Sequence, residues 1–252
     1  MLIPRVIPCL LLRGSGLVKT VRFAEPKYVG DVVNAVKIFN DKEVDEIVIL
    51  DIEAHTRRRI NWELVTSTAT EAFMPMCYGG GITNVDEIRR LLKSGVEKVA
   101  INTTSHEDPR LIEAGARAFG SQAIVASIDV KKSFLGKYVV VSHGGKRKQP
   151  HDPVQWAKRV EQAGAGEILL TSFDRDGTQQ GYDLELVRQV TGAVRIPVVA
   201  SGGAGKVQHF ADAIQSGASA VAAGSLFVFH GPHRAVLITY PTRAELTKWL
   251  AR

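Results

Sequence analysis

Two pairs of short motifs carry the residues best suited to chemistry. Gly80-Gly81 ends one apolar run and Asn102-Thr103 ends the next; later, Gly202-Gly203 and Gly224-Ser225 do the same. Each turn precedes a segment of helical spacing. Backbone N–H groups at a helix start bind anions, and glycine lets a phosphate approach the main chain. The competing reading is that these glycines only close tight turns. A matched pair of clusters favours two phosphate sites, and so a substrate with an anion at each end or a diphosphate between them. Asp129 ends AIVASIDV (123–130) and can serve as general acid or base; the alternative is a strand-end aspartate bonded to a turn. Asp51 ends EIVILDI (46–52) in the same way. Thr171, Asp174, Asp176 and Gly177 fall in or after GEILLTSFD (166–174), where they could orient substrate or shape a turn. Segment 12–30 reads as a long loop of the lid or binding type, from which Lys19 could reach an anion or stay solvated.

The elements that must position these residues are eight short apolar runs. They are RVIPCLLL (5–12), EIVILDI, MPMCYGGGI (74–82), VEKVAINTTS (96–105), AIVASIDV, GEILLTSFD, IPVVASGG (196–203) and ASAVAAGS (218–225). Helical patterns separate them. Asn61 and Asn84 are start signals for two of these helices, Gly95 is a stop signal, and KYVVVS…KRKQP reads as a hairpin. Strands alternating with helices imply parallel βαβ units. Eight units in 252 residues predict an α/β protein of the (β/α)8 TIM-barrel type, one domain over 1–252, with an open doubly wound sheet as runner-up. The halves repeat: Pro75 and Pro197 lie 122 residues apart (197 − 75), as do Gly80 and Gly202, and Gly95 and Gly217. A two-fold half-barrel repeat favours the closed barrel, whose active site lies at the C-terminal strand ends.

Net charge is +6 without a block of five or six like charges, which fits an anionic substrate better than nucleic acid. HTRRR (55–59) and GKRK (145–148) read as loops. Cys9 and Cys77 sit in apolar runs and read as buried thiols of a reducing compartment. No ligand spacing for a metal and no long apolar run appears, so the expectation is a cytoplasmic protein without metal, cofactor or membrane contact. At the other end of the barrel, Arg5, Glu46, Lys98 and Glu167 begin four strands with alternating sign. They could form an inward ring of salt bridges or remain solvated ends.

RVIPCL, VILDI, YGGGI, VEKVAINT, SIDV, GAGEILLTSFDRDGTQQGYD and IPVVASGGAGK together resemble the cyclase subunit of imidazole glycerol phosphate synthase (HisF-like), over essentially the whole chain. The resemblance implies a barrel that takes ammonia from a glutaminase subunit docked on its N-terminal face. It identifies Arg5, Glu46, Lys98 and Glu167 with the ammonia gate and Glu97 with a docking contact. Asp129 matches a catalytic aspartate, Lys19 a lid lysine and Asp51 a substrate contact. Gly81, Asn102 and Thr103 match one phosphate site, and Asp176, Gly177, Gly203, Gly224 and Ser225 the other. The second catalytic aspartate of the family falls on Leu11, which cannot move a proton. LLLRGSGLVKT, FAEPKYVGDVVNAVKIFN and FVFHGPHRAVLITYP resemble the branch associated with glycosyl amidation in surface-polysaccharide (lipopolysaccharide, O-antigen) biosynthesis. That branch implies a nucleotide-sugar substrate and a sugar amidotransferase as a further partner; HTRRR after the second strand adds cations near the mouth, Arg57 and Arg58 among them, which would suit an anionic sugar. The alternatives are a true histidine-biosynthesis cyclase and a non-catalytic ammonia conduit. Leu11 and Asp129 are also repeat mates, 118 residues apart (129 − 11).

Overall fold

The computed structural model describes residues 3–57, 59–231 and 233–251; the side chain of His55 and all of Arg58 lie outside that description. Eight parallel strands close a barrel: β1 (Arg5–Arg13), β2 (Ile47–Asp51), β3 (Met76–Gly79), β4 (Lys98–Ile101), β5 (Ile124–Lys132), β6 (Glu167–Ser172), β7 (Val198–Ser201) and β8 (Ala220–Ala223). Each pairs with the next, and β8 returns to β1, with Arg5 opposite Ala220. Side chains alternate across the sheet because the strand period is two. Ile7, Cys9, Val48, Cys77, Ala100, Val125, Leu169, Val199, Ala220 and Ala222 fill the inside. Their neighbours Leu10, Ile49, Tyr78, Val99, Ile168 and Val221 pack outward against the helices.

The helices of the outer ring are α1 (Val32–Asp41), α2 (Trp62–Glu71), α3 (Val85–Lys93), α4 (Arg110–Phe119), α5 (Pro153–Gln162), α6 (Leu184–Thr191), α7 (Val207–Gln215) and α8 (Arg243–Leu250). Asn61 caps α2 through the N–H of Leu64, and Asn84 caps α3 through that of Glu87, as their positions predict. Among the described residues, no helix is long and apolar enough to cross a membrane. Both cysteines are buried free thiols.

Two elements differ from the sequence expectation. The run 96–105 is strand only over Lys98–Ile101, and Thr103–Glu107 turns into a short helix. Segment 12–30 is a hairpin, not a loop. Gly16–Val21 and Ala24–Asp31 pair antiparallel and extend the sheet at the end of β1, with Leu11 opposite Val18. Leu17, Val18, Lys19 and Thr20 are all buried over the barrel mouth, which is what orders the segment. The second half-barrel repeats the device: Tyr138–Ser142 and Arg147–Lys148 extend β5, with Asp129 opposite Val141.

Candidate active site

The C-terminal strand ends enclose a cavity of about 330 Å³ lined by Leu11, Asp51, Gly80, Gly81, Asn102, Thr103, Asp129, Thr171 and Asp176, among others. A smaller cavity of about 30 Å³ adjoins it, lined by Lys19, Gly177, Gly202, Gly203, Gly224 and Ser225. Leu11 and Asp176 border both. The structure thus brings every residue of the two glycine clusters to one end of the barrel.

The clusters also match in conformation. Gly80 has φ +120° and Gly202 φ +89°. A Cβ at Gly80 would sit 2.4 Å from the carbonyl oxygen of Asp51, and one at Gly202 2.7 Å from that of Ser172. Only glycine lets these turns lie against the preceding strand. Asn102 (φ −120°) and Gly224 (φ −116°) open short helices, and in neither does a side chain bond the first N–H groups. Two symmetry-related cradles of backbone donors result, one on each side of the mouth.

Lys19 does not wave above this site. The first hairpin folds it into the smaller cavity, where its ammonium donates to the carbonyl of Cys9 at 2.5 Å. Burial pushes its pKa down, opposed in part by Cys9 and Asp176. Asp176 holds that hairpin by accepting from the Thr20 hydroxyl at 2.8 Å, and burial pushes its carboxyl up. Asp174 turns away and accepts from the N–H of Lys132 at 2.7 Å, so it ties the second hairpin down.

Asp129 accepts from the Asn102 amide at 2.9 Å. Burial pushes its carboxyl up to about 7, with the Asn102 hydrogen bond opposing and the Asp176 charge adding. A group poised there exchanges protons well at neutral pH. Its repeat mate Leu11 faces the same cavity. The neighbouring strand continues the contrast: Leu11 is in register with Leu50, and Asp129 with Thr171. At this register the β1–β2 pair is aliphatic where the β5–β6 pair is polar.

Asp51 is fully engaged. It accepts from the Arg57 guanidinium at 2.8 and 3.1 Å and from the N–H groups of Glu53 and Ala54 at 3.0 Å. Burial still pushes its carboxyl up. Arg57 is thus paired with Asp51, which itself lines the cavity. Arg58 lies outside the described residues.

At the opposite end Arg5 pairs with Glu46 and Glu167, and Lys98 pairs with both at 2.9 Å, which closes an alternating ring. Glu46 and Glu167 are only 3% and 7% exposed, which rules out solvated ends. Burial disfavours both cations, yet the two carboxylates outweigh it and hold Arg5 and Lys98 above their ordinary values. Exposed Glu97 accepts from the N–H of Met76 at 2.6 Å beside this ring.

The cavity also uses Thr20, Phe23, Leu50, Ser127, His143 and Ser201, which sequence reading passed over. Ser127 lies two residues before Asp129 on the same strand face, a spacing that could have flagged it. His143 opens a His-Gly-Gly turn, also a readable signal.

Fold and site define a (β/α)8 barrel with a duplicated glycine turn at its mouth and a charged ring at its base. The chain belongs to the histidine biosynthesis protein family, which it matches over residues 5–233. It is HisF-like. A Pseudomonas aeruginosa protein provisionally named imidazole glycerol phosphate synthase subunit hisF2 is 53% identical over 239 residues, 94% of this chain and 95% of that one. The imidazole glycerol phosphate synthase subunit HisF of Alkaliphilus metalliredigens is 49% identical over 232 residues, 91% and 92% of the two chains. A Vibrio vulnificus protein provisionally named subunit hisF3 is 46% identical over 253 residues, 99% and 97%.

Proposed function

We propose that this chain is the ammonia-using barrel subunit of a glutaminase–synthase pair, diverged from imidazole glycerol phosphate formation toward amidation of a nucleotide-linked sugar. The observation that carries this reading is Leu11. It occupies the repeat position of Asp129 in a mouth that otherwise keeps two anion cradles and a buried lysine. Ammonia from a glutaminase docked beside Glu97 would pass the Arg5–Glu46–Lys98–Glu167 ring, cross the apolar barrel interior and meet substrate beside Asp129. The two cradles would hold the diphosphate, with Lys19 supplying charge at the second. Asp129, near 7, would move a proton as ammonia adds. Removing one of two cooperating acid–base groups costs about 10²–10⁴-fold, so the ancestral cyclisation should be feeble here.

A true cyclase is the second reading, supported by Asp129, Lys19 and both cradles. A conduit that only delivers ammonia to an amidotransferase is the third, supported by the intact ring. The test is ammonia-dependent turnover of the amino-imidazole nucleotide precursor by wild type and Leu11→Asp. Divergence predicts a slow wild type and a large gain in the variant. Wild-type turnover matching that of an authentic cyclase assayed alongside would refute it.

A further inference from the structure

The leucine at position 11 leaves a chemical deficit. When ammonia adds to a C=N or C=O carbon, one C–N bond forms and the π pair moves onto the heteroatom. One proton must then leave the new nitrogen and one must reach that heteroatom. Asp129 can perform one of these transfers at a time, and concerted transfer needs a second group.

His143 is placed for it. It follows the strand Tyr138–Ser142, whose register sets Val141 opposite Asp129. The chain there bends into the left-handed region, with φ +54° at His143 and +64° and +82° at Gly144 and Gly145. That conformation is uncommon outside glycine, and such outliers gather at functional sites. The bend brings His143 to the cavity wall, and its N–H donates to the Thr103 hydroxyl of the first cradle at 3.3 Å. The imidazole is oriented from both sides. Fully buried Ser142 accepts from the Gln149 amide at 2.6 Å and meets His143 Nδ1 at 2.9 Å. On the other side of the ring Nε2 lies 3.5 Å from Glu107 Oε1, and Glu107 lines the same cavity. An imidazole oriented by a neighbour that is itself held, with a carboxylate at its second nitrogen, is placed to pass a proton.

We propose that His143 is the second proton-transfer group of this mouth, acting with Asp129 on a ligand anchored at the first cradle. The assignment rests on the ammonia-addition reading above. Charged groups lining the same cavity wall include Glu107 on the short helix, Lys146 on the hairpin and Asp129. His106 and His151 lie behind, with His106 pushed down to about 4 by burial and held neutral.

The experiment uses ¹⁵N-labelled protein and sulfate, an anion that does not itself titrate near neutrality. One histidine should shift on adding sulfate and shift again in Asp129→Asn. That signal should vanish in His143→Asn, a substitution that tolerates left-handed backbone. With ammonia and the amino-imidazole precursor, His143→Asn should lower kcat about 10²-fold. It should leave KM unchanged and remove one limb of the pH–rate profile. An imidazole indifferent to both sulfate and Asp129→Asn, or unchanged ammonia-dependent kcat in the variant, overturns the assignment. A wild type silent toward that precursor counts against the cyclase substrate alone, and the sulfate response then decides the role of His143.

Discussion

Replacing Asp129 by asparagine should stabilise the protein at alkaline pH while abolishing its proton chemistry. A carboxyl whose folded pKa exceeds its unfolded one holds its proton more tightly in the folded state. It therefore takes stability away as pH rises from 3.8 to about 7, and the loss is complete above that. At about 1.4 kcal/mol per pH unit this upward shift is worth roughly 4 kcal/mol. The carboxylate lines a cavity that opens to solvent, so water screens part of the cost and about 1–3 kcal/mol should remain. The carbonyl of the new asparagine would still accept from the Asn102 amide, which bonds Asp129 at 2.9 Å, so the substitution removes charge with little change of shape. Urea denaturation at pH 8.5 should show Asp129→Asn more stable than wild type, with the gap closing by pH 4. A variant equal to or weaker than wild type at pH 8.5 would mean that Asp129 is not desolvated as described. Its poise near neutrality would then fall with it.

Three further perturbations test the other end of the barrel, the helices and the turns. Lys98→Met leaves buried Glu46 and Glu167 sharing Arg5 alone and should cost about 3 kcal/mol by chemical denaturation, with Glu167→Gln added to it restoring part. His106 stacks on Trp156 at 4.3 Å with both ring nitrogens buried and without hydrogen-bond partners among the described residues. Its pKa falls from 6.5 to about 4. Wild type should thus lose up to about 3 kcal/mol as pH drops across that window, while His106→Phe should not. Gly80→Ala and Gly202→Ala drive a Cβ into a strand carbonyl at left-handed φ. Each should cost at least about 2 kcal/mol, read as a lowered Tm, and abolish sulfate binding at its own cradle by calorimetry.

The barrel is readable in the sequence because its signals are local. Val-, Ile- and Ala-rich runs stop at glycine turns, and each half repeats the spacing of the other. The cradles are readable for the same reason, since a backbone site is specified by glycine and small polar residues in fixed order. What escapes is set by contacts between distant segments. Nothing within HTRRR states that Arg57 folds back onto Asp51. Lys19 is buried because the first hairpin closes on Asp176, 156 residues away through the Thr20 bond. The hairpin itself had a signal that only symmetry would amplify: the strand after β5 is plain in KYVVVS, and GLVKTV stands at the equivalent place after β1.

The two-fold repeat sets which positions can vary without loss of the scaffold. Each half supplies a cradle, a hairpin and one strand-end position facing the shared cavity. The cradles are built from main chain and glycine, so side-chain drift elsewhere leaves them intact. The ring at the base depends on all four members at once, because each carboxylate is buried between two cations. Removing any one leaves a buried charge short of a partner, so drift there is penalised by folding itself. The strand-end pair carries no such penalty. Leu11 with Leu50 packs as well in an apolar wall as Asp129 with Thr171 serves in a polar one, and the leucine removes a desolvated carboxyl that would have weakened the fold. Position 11 is therefore the place in this barrel where the reaction can change most cheaply. The same strand end of the second half keeps Asp129, whose carboxyl is pushed up to about 7 by burial in that cavity.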